Sequence, residues 1–373
     1  MRTASDVRVA IYLPNCAGGG VERVYLELLH SLLQKKFSVD LVIAHLAGPY
    51  VDEIPAGVRV INLNVTHKLN IVLKLARYLR REKPSVLLSG GDISNVLAVL
   101  ASIVAKRRKQ CVIGQRAMVR MGWELQKPRT WRLKLFFIKR LYKQANLIIC
   151  NSEAARRELI HDLGMSLEKC NVIYNSINVD QIQQLALCSP NDEWFIKEAS
   201  PVVISIGSLS VLKDMMTLIR AFSIARMTCD CRLLILGEGP ERKPLEALIR
   251  AYNLEHYVHM PGFLVNPFPL LKRSNVFVSA SLTEGCPNVI LQALACNTPI
   301  VATNCPGGTS EILEDGRWGQ LVPVGNASAM AAAIVKALRE DKLYDLRERL
   351  EQFTPEKITS LYLKLLEPNL CMD

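Results

Sequence analysis

No run of apolar residues in this 373-residue chain approaches the roughly 20 needed to cross a bilayer, so a membrane-spanning bundle is excluded. The first apolar run, Val7–Leu13, is short and interrupted by Arg8, so no signal peptide is expected. The 11 cysteines are scattered without the spacing of a metal site, and Cys229 and Cys231 stand too close for a zinc knuckle. Several, among them Cys111, Cys150 and Cys296, sit in apolar runs, as buried free thiols of a reducing compartment do. The six histidines form no H-E-x-x-H pattern, and His256 and His259 are expected to flank or occupy a strand. The G-x-G-x-x-G fingerprint and its ribose-binding acid are missing, which argues against a nicotinamide-dependent dehydrogenase. RNA-recognition, zinc-finger and basic-zipper patterns are absent too, so no nucleic-acid partner is expected.

Acidic residues are scarce in the first half. Residues 1–180 hold 28 Lys and Arg against 14 Asp and Glu, or +14. Residues 181–373 hold 18 against 21, or −3, which accounts for the whole-chain +11. A basic first half beside a near-neutral second half points to a polyanionic surface as partner of the first half alone.

The length suits two domains. Strand-like runs at Val7–Leu13, Val39–Leu46, Val58–Leu63, Val86–Ser89, Cys111–Gly114 and Leu147–Cys150 alternate with helical patterns such as Val21–Leu33, Leu69–Arg81 and Asn95–Ala105. The alternation resumes with strands at Val202–Ile206, Leu233–Leu236, Val276–Ser279 and Pro299–Ala302. Such alternation predicts parallel sheets covered by helices on both faces. A polar stretch over Ala186–Ser200 separates the halves. The expected organisation is α/β: two Rossmann-like doubly wound domains, residues 1–185 and 186–354, followed by a helical segment, 355–373.

The richest stretch is Glu284–Gly308, EGCPNVILQALACNTPIVATNCPGG. An apolar strand runs into Glu284, and Pro287 suits the first turn of a helix. The N–H groups near Asn288 and Val289 then face outward, where the helix dipole favours phosphate. Gln292 stands one turn further on. Gly18-Gly19-Gly20 follows the first strand and precedes a helix carrying Glu22 and Arg23; such glycines admit a phosphate or sugar to the backbone. Gly207-Ser208-Leu209 follows the strand that opens the second half, with Lys213-Asp214 at the next helix. Gly237-Glu238-Gly239-Pro240 and Pro261-Gly262-Phe263 end the two strand regions after it.

Together these segments resemble the retaining glycosyltransferase family 4, enzymes of the GT-B fold, over nearly the whole chain. The resemblance implies two Rossmann-like domains facing a cleft, with donor binding in the second, acceptor binding in the first, and the final helical segment, 355–373, crossing back onto the first. It implies a nucleotide-sugar donor, UDP-linked, and a lipid-linked or surface-glycan acceptor of the lipopolysaccharide and polysaccharide kind. It implies no metal and no cofactor. The family motif carries two Glu eight positions apart; Glu284 matches the first, and Gln292 replaces the second, keeping an acceptor oxygen but no charge. The family's Gly-Arg-Leu turn reads Gly207-Ser208-Leu209, so one cation is missing while Lys213 is kept. Lys213 is then expected to stabilise the leaving diphosphate and Glu284 to bind the donor sugar. Gly18, Gly19, Gly20, Gly207, Ser208, Gly237, Glu238, Gly239, Phe263, Gly285, Pro287, Asn288, Val289 and Gln292 complete the implied donor site. Glu22 and Arg116 are expected on the acceptor side, Arg116 as a forked phosphate donor where the family has His or Asp. Because Ser208 and Gln292 replace charged residues, a catalytically weak nucleotide-binding protein stays an alternative, as does a nucleotide-sugar epimerase.

The run Lys127–Lys143, KPRTWRLKLFFIKRLYK, places Trp131, Leu135, Ile138, Leu141 and Tyr142 near one helical face and Arg132, Lys139, Arg140 and Lys143 on others. Lys106–Lys109 adds a basic cluster. A basic amphipathic helix of this kind predicts peripheral attachment to the anionic cytoplasmic face of a membrane.

Overall fold

The computed structural model describes residues 7–127, 129–189, 200–340 and 345–370. Ten residues of the stretch expected to link the halves, 190–199, lie outside the described residues.

Two compact units emerge, one reaching Ser176 and resuming at Phe353, the other spanning Ile177–Gln352. The first contains β1 (Arg8–Leu13), α1 (Gly20–Gln34), β2 (Ser38–Ile43), β3 (Arg59–Asn62), α2 (Lys68–Glu82), β4 (Val86–Gly90), α3 (Asp92–Val104), β5 (Cys111–Gln115), α4 (Val119–Gln126), α5 (Trp131–Tyr142), β6 (Leu147–Cys150), α6 (Glu153–His161) and β7 (Cys170–Val172). The second contains α7 (Val179–Leu185), β8 (Val202–Ile206), α8 (Met215–Arg226), β9 (Arg232–Leu236), α9 (Arg242–Ala251), β10 (Val258–Gly262), α10 (Phe268–Arg273), β11 (Val276–Ser279), α11 (Asn288–Ala295), β12 (Ile300–Thr303), α12 (Thr309–Ile312), β13 (Gln320–Val322), α13 (Ala327–Arg339) and α14 (Arg347–Glu351). The last helix, α15 (Pro355–Leu370), returns to the first unit.

Both sheets are parallel and doubly wound. The first has strand order β3-β2-β1-β4-β5-β6-β7 and the second β10-β9-β8-β11-β12-β13. The central strands are buried on both faces, which is why they read as unbroken apolar runs. In each sheet the winding reverses once, between β1 and β4 and between β8 and β11. Ligands of open α/β sheets bind outside the carboxyl ends of the strands at such a reversal.

The expected boundary after residue 185 shifts to Ser176/Ile177, because α7 packs against α10 and α11 of the second unit. The return to the first unit falls at Phe353, just before the expected residue 355. Ile358, Tyr362 and Leu366 of α15 join the apolar cluster that α1 makes with β1 and β2. A buried polar knot secures the same helix. Arg116, only 8% exposed, donates to Tyr25 Oη and Asn175 Oδ1, each at 3.3 Å, and to Tyr362 Oη. Tyr25 in turn donates to the Ser89 carbonyl at 2.7 Å. A Cβ at Gly90 would run into the Tyr25 ring and one at Gly114 into its hydroxyl, so these glycines make room for the side chain.

Candidate active site

In the second unit, the loops after β8 and β11 meet at the reversal of the sheet. Beyond β8 the chain passes Gly207 and a single 3-10 turn (Val211–Lys213), then bends through Asp214 in the left-handed region, φ +42°. The Asp214 carboxylate caps α8 by accepting from Thr217 N at 3.3 Å. This bend leaves the Lys213 stem over Gly207, where an added Cβ would lie 3.7 Å from Lys213 Cδ. Lys213 Nζ donates to Glu284 Oε1, across 71 positions of sequence. Ser281 Oγ donates to the same oxygen at 2.6 Å. Glu284 Oε2 has no protein partner among the described residues. The pair is largely shielded, with side-chain exposures of 22% for Lys213 and 10% for Glu284.

The Glu284 loop is clamped by the Pro306-Gly307-Gly308 turn after β12. Glu284 N and Thr283 Oγ1 both donate to the Pro306 carbonyl at 3.1 Å, and Gly308 N donates to the Gly285 carbonyl at 2.7 Å. Gly307 has φ +132°, and a Cβ there would overlap the Glu284 carbonyl. Thr303 Oγ1 adds a bond to the Ser281 carbonyl at 2.6 Å. The carboxylate is therefore presented on a preorganised loop.

Pro287 was expected inside the first turn of the following helix. It instead occupies the N-cap of α11 with ψ 103°, and its carbonyl receives the N–H of Ile290 and of Leu291. Asn288 and Val289 begin the helix half-buried, and Gln292 is half-buried one turn on. Gly285 is buried.

Gly237 (φ +140°) and Gly239 serve packing. A Cβ on the first would strike the Gly207 carbonyl and on the second the Leu209 carbonyl, so these glycines let the loops after β8 and β9 touch. Glu238 is exposed and bonded to Arg242 at 2.5 Å. Ser208 is exposed beside Ser210, their hydroxyls 3.2 Å apart. Phe263, 47% exposed, is no core residue; with Val265 at 63% it forms an apolar rim beyond β10.

Gly18, Gly19, Gly20, Glu22 and Arg116 all belong to the first unit. Gly18 has φ +88°, Gly19 is the N-cap of α1 and Gly20 its first residue. The Glu22 carboxylate folds back over Gly19. Burial pushes its pKa up, against the lowering effect of the Gly19 and Glu22 backbone N–H groups. It thereby sits at the helix end where an incoming anion would go. Arg116 is withdrawn from the acceptor set, because its guanidinium is enclosed in the Tyr25–Asn175–Tyr362 knot. Two contributors were missed by sequence reasoning: Ser281, which follows β11 two residues after Ser279, their hydroxyls 3.3 Å apart, and the Thr283/Thr303 pair behind the Glu284 loop. Among the described residues no three His, Cys, Asp or Glu side chains gather as a metal site, and the described cysteines are free.

Two family descriptions match, Glycosyltransferase Family 4 over residues 18–181 and Glycosyl transferases group 1 over residues 200–340. The lipopolysaccharide core biosynthesis glycosyltransferase LpsE of Rhizobium meliloti is 30% identical over 361 residues, covering 93% of this chain and 96% of that protein. The chain therefore belongs to the group 1 glycosyltransferases, and its two Rossmann-like units are those of the GT-B class. The N-acetylgalactosamine-N,N'-diacetylbacillosaminyl-diphospho-undecaprenol 4-alpha-N-acetylgalactosaminyltransferase of Campylobacter jejuni is 35% identical over 236 residues, 62% of each chain. This match thus spans about six-tenths of that relative's own length. Among solved structures, Anabaena Alr3699/HepE in complex with UDP and glucose superposes with a TM-score of 0.79 at 21% identity, covering 96% of this chain and 99% of that one.

Proposed function

We propose that the protein is a retaining glycosyltransferase that moves a sugar from a UDP-linked donor to a lipid-linked or surface-glycan acceptor at the cytoplasmic membrane face, without a metal. The observation that carries the reading is the Lys213–Glu284 pair on rigid loops at the sheet reversal. Glu284 Oε2 accepts hydroxyls of the donor sugar. The Lys213 ammonium exchanges Glu284 for the diphosphate as negative charge builds on the departing oxygen, and the N-terminus of α11 takes up the rest. The acceptor oxygen forms its bond to the anomeric carbon on the face from which the diphosphate departs, and the acceptor proton passes to the leaving diphosphate oxygen. No side-chain base is required in this scheme. UDP is favoured by the UDP-bound state of the Anabaena neighbour, and the acceptor class by the names of the two bacterial relatives.

The test is thermal stabilisation by UDP, GDP, ADP and NAD, with Lys213→Ala alongside. A hundredfold excess over Kd adds about 2.7 kcal/mol. A shift with UDP alone, lost in the variant, supports the donor assignment, and a shift by NAD overturns it. Activity in excess EDTA checks metal independence. A second reading, nucleotide binding without transfer, is favoured by Ser208 and Gln292, since Lys213 is then the one family cation retained at this loop and it already faces a carboxylate. Donor stabilisation with no product on any acceptor would select that reading.

Membrane attachment is proposed on a changed set of side chains. Trp131 is half-buried in α5, Ile138 and Tyr142 are buried, and Leu135 and Leu141 pack against the same core, so most of the face expected to meet lipid is turned inward. Leu133, Phe136 and Phe137 instead stand 62%, 54% and 54% exposed, among Arg132, Lys139 and Arg140. Each basic residue near anionic lipid contributes about 1 kcal/mol. Recovery on anionic liposomes that falls with salt is the expected result, and equal recovery on neutral liposomes at low salt overturns it. No helix of the described residues is long and apolar enough to cross a membrane.

A further inference from the structure

Beside α5 the first unit holds a groove of about 310 Å³, formed with α4 and the end of α6. Its position is set by Glu158 of α6, which accepts from Val119 N at 2.6 Å and Arg120 N at 2.9 Å and so ties the start of α4 to α6. Three cations line it, Arg120, Arg132 and Lys139, against one acid, Asp162. Asp162 is engaged by Arg120 at 3.4 Å. Arg132 and Lys139, two helical turns apart on one face, have no carboxylate within 4 Å among the described residues. Arg132 instead lies 5.3 Å from the centre of the Trp131 ring. The remaining walls are apolar and end at Phe136, whose ring meets Phe137 edge-on at 5.7 Å on the exposed side of the helix.

A groove with surplus positive charge and an exposed apolar lip matches an anion that carries a hydrocarbon chain. A small free anion would use the cations and leave the lip bare; a neutral detergent would do the reverse. The volume is at the lower end of ligand pockets, roughly 300 Å³, enough for a headgroup and not for a whole lipid. We propose that this groove is a discrete binding site for the phosphate headgroup of a membrane amphiphile. Arg132 and Lys139 hold the phosphate oxygens by charge-assisted hydrogen bonds. Phe136 and Phe137 receive the first methylenes of the chain. The proposal deepens the membrane-surface reading above and is independent of sugar transfer.

The experiment titrates the full-length protein with monomeric decyl phosphate, following tryptophan fluorescence and heat. Inorganic phosphate and decyl maltoside serve as comparison ligands. The expected result is saturable one-to-one binding of decyl phosphate alone. Arg132→Gln combined with Lys139→Gln weakens it about tenfold or more, about 1.4 kcal/mol, and Phe136→Ser weakens decyl phosphate without creating affinity for inorganic phosphate. All three positions are exposed, so circular dichroism and the melting temperature should match the parent. Equal binding of inorganic phosphate overturns the lipid part, equal binding of decyl maltoside overturns the phosphate part, and indifference to the substitutions overturns the location. Salt-sensitive liposome binding without saturable decyl phosphate binding would sink the groove and leave the docking surface standing.

Discussion

A lysine and a glutamate that sequence motifs recommend separately turn out to be one another's partners. Lys213 and Glu284 were each legible from a local pattern, but their ion pair, 71 positions apart, was not, because contact between loops depends on strand order. Replacing Lys213 by Ala should abolish stabilisation by UDP and lower kcat by roughly 10²–10³, the scale of losing one preorganised charge-stabilising donor; steady-state kinetics with saturating donor checks this. Arg116 shows the opposite failure. A sequence displays charge and not burial, and the hydroxyls that enclose this arginine come from residues 91 positions earlier and 246 later. Glu27 carries a pH consequence. Burial pushes its pKa up to about 7, opposed by the 2.6 Å hydrogen bond from Ser176 and by Arg23. The native state therefore prefers Glu27 protonated, so its contribution to stability is complete below about pH 4.5 and is lost as pH rises through about 7. Glu27→Gln should accordingly be more stable than the parent above pH 7, by about 1–3 kcal/mol, with the advantage vanishing towards pH 4.5. Denaturant titrations at several pH values measure it.

At the scale of elements, periodicity revealed the central strands and the long helices, because those are buried on both faces or along one broad stripe. β7 and β13 escaped notice: each has three residues, and β13 is a sheet edge where apolar content is not required. β10, also an edge, carries His259 and Pro261 and was marked only by its histidine and its Pro-Gly end. The helix α5 was found, yet its outward face was misassigned, since Leu133, Phe136 and Phe137 fit a core stripe equally well on paper. The Pro-Gly-Gly turn was visible as a turn, while its job of bracing Glu284 was not. Gly307→Ala should cost clearly more than the roughly 1 kcal/mol of an unobstructed left-handed glycine, because its Cβ meets backbone. The UDP-dependent shift should shrink with it. Gly325→Ala, at φ +71° with nothing within 4 Å of the new atom, is the matched control and should leave the UDP shift intact. A differential scanning series with and without UDP separates the two.

For the molecule as a whole, composition foretold an uneven charge, and the alternation of strands and helices foretold two doubly wound sheets. The point at which the chain changes unit was less legible, because α7 looks in sequence like a continuation of the first unit and only its contacts with α10 and α11 assign it to the second. Tyr362→Phe removes the hydroxyl that Arg116 reaches from α15. The expected cost is about 1–2 kcal/mol, appearing as an earlier melting of the first unit while UDP stabilisation of the second persists, which domain-resolved hydrogen exchange would detect.

The Arg116 knot also bears on the order in which the protein is made. Ile358, Tyr362 and Leu366 complete the apolar cluster of α1, β1 and β2, yet they are translated after every residue of the second unit. Domains emerging from a ribosome usually fold from the N-terminus onward. Here the later-synthesised unit can close first, while the earlier one waits for its last helix with the side of its core that α15 covers, on α1 and β4, left open. Chaperone dependence during synthesis is then expected to concentrate on the first unit, and a stalled chain ending before Phe353 should be protected from protease in its second half and cleaved in its first.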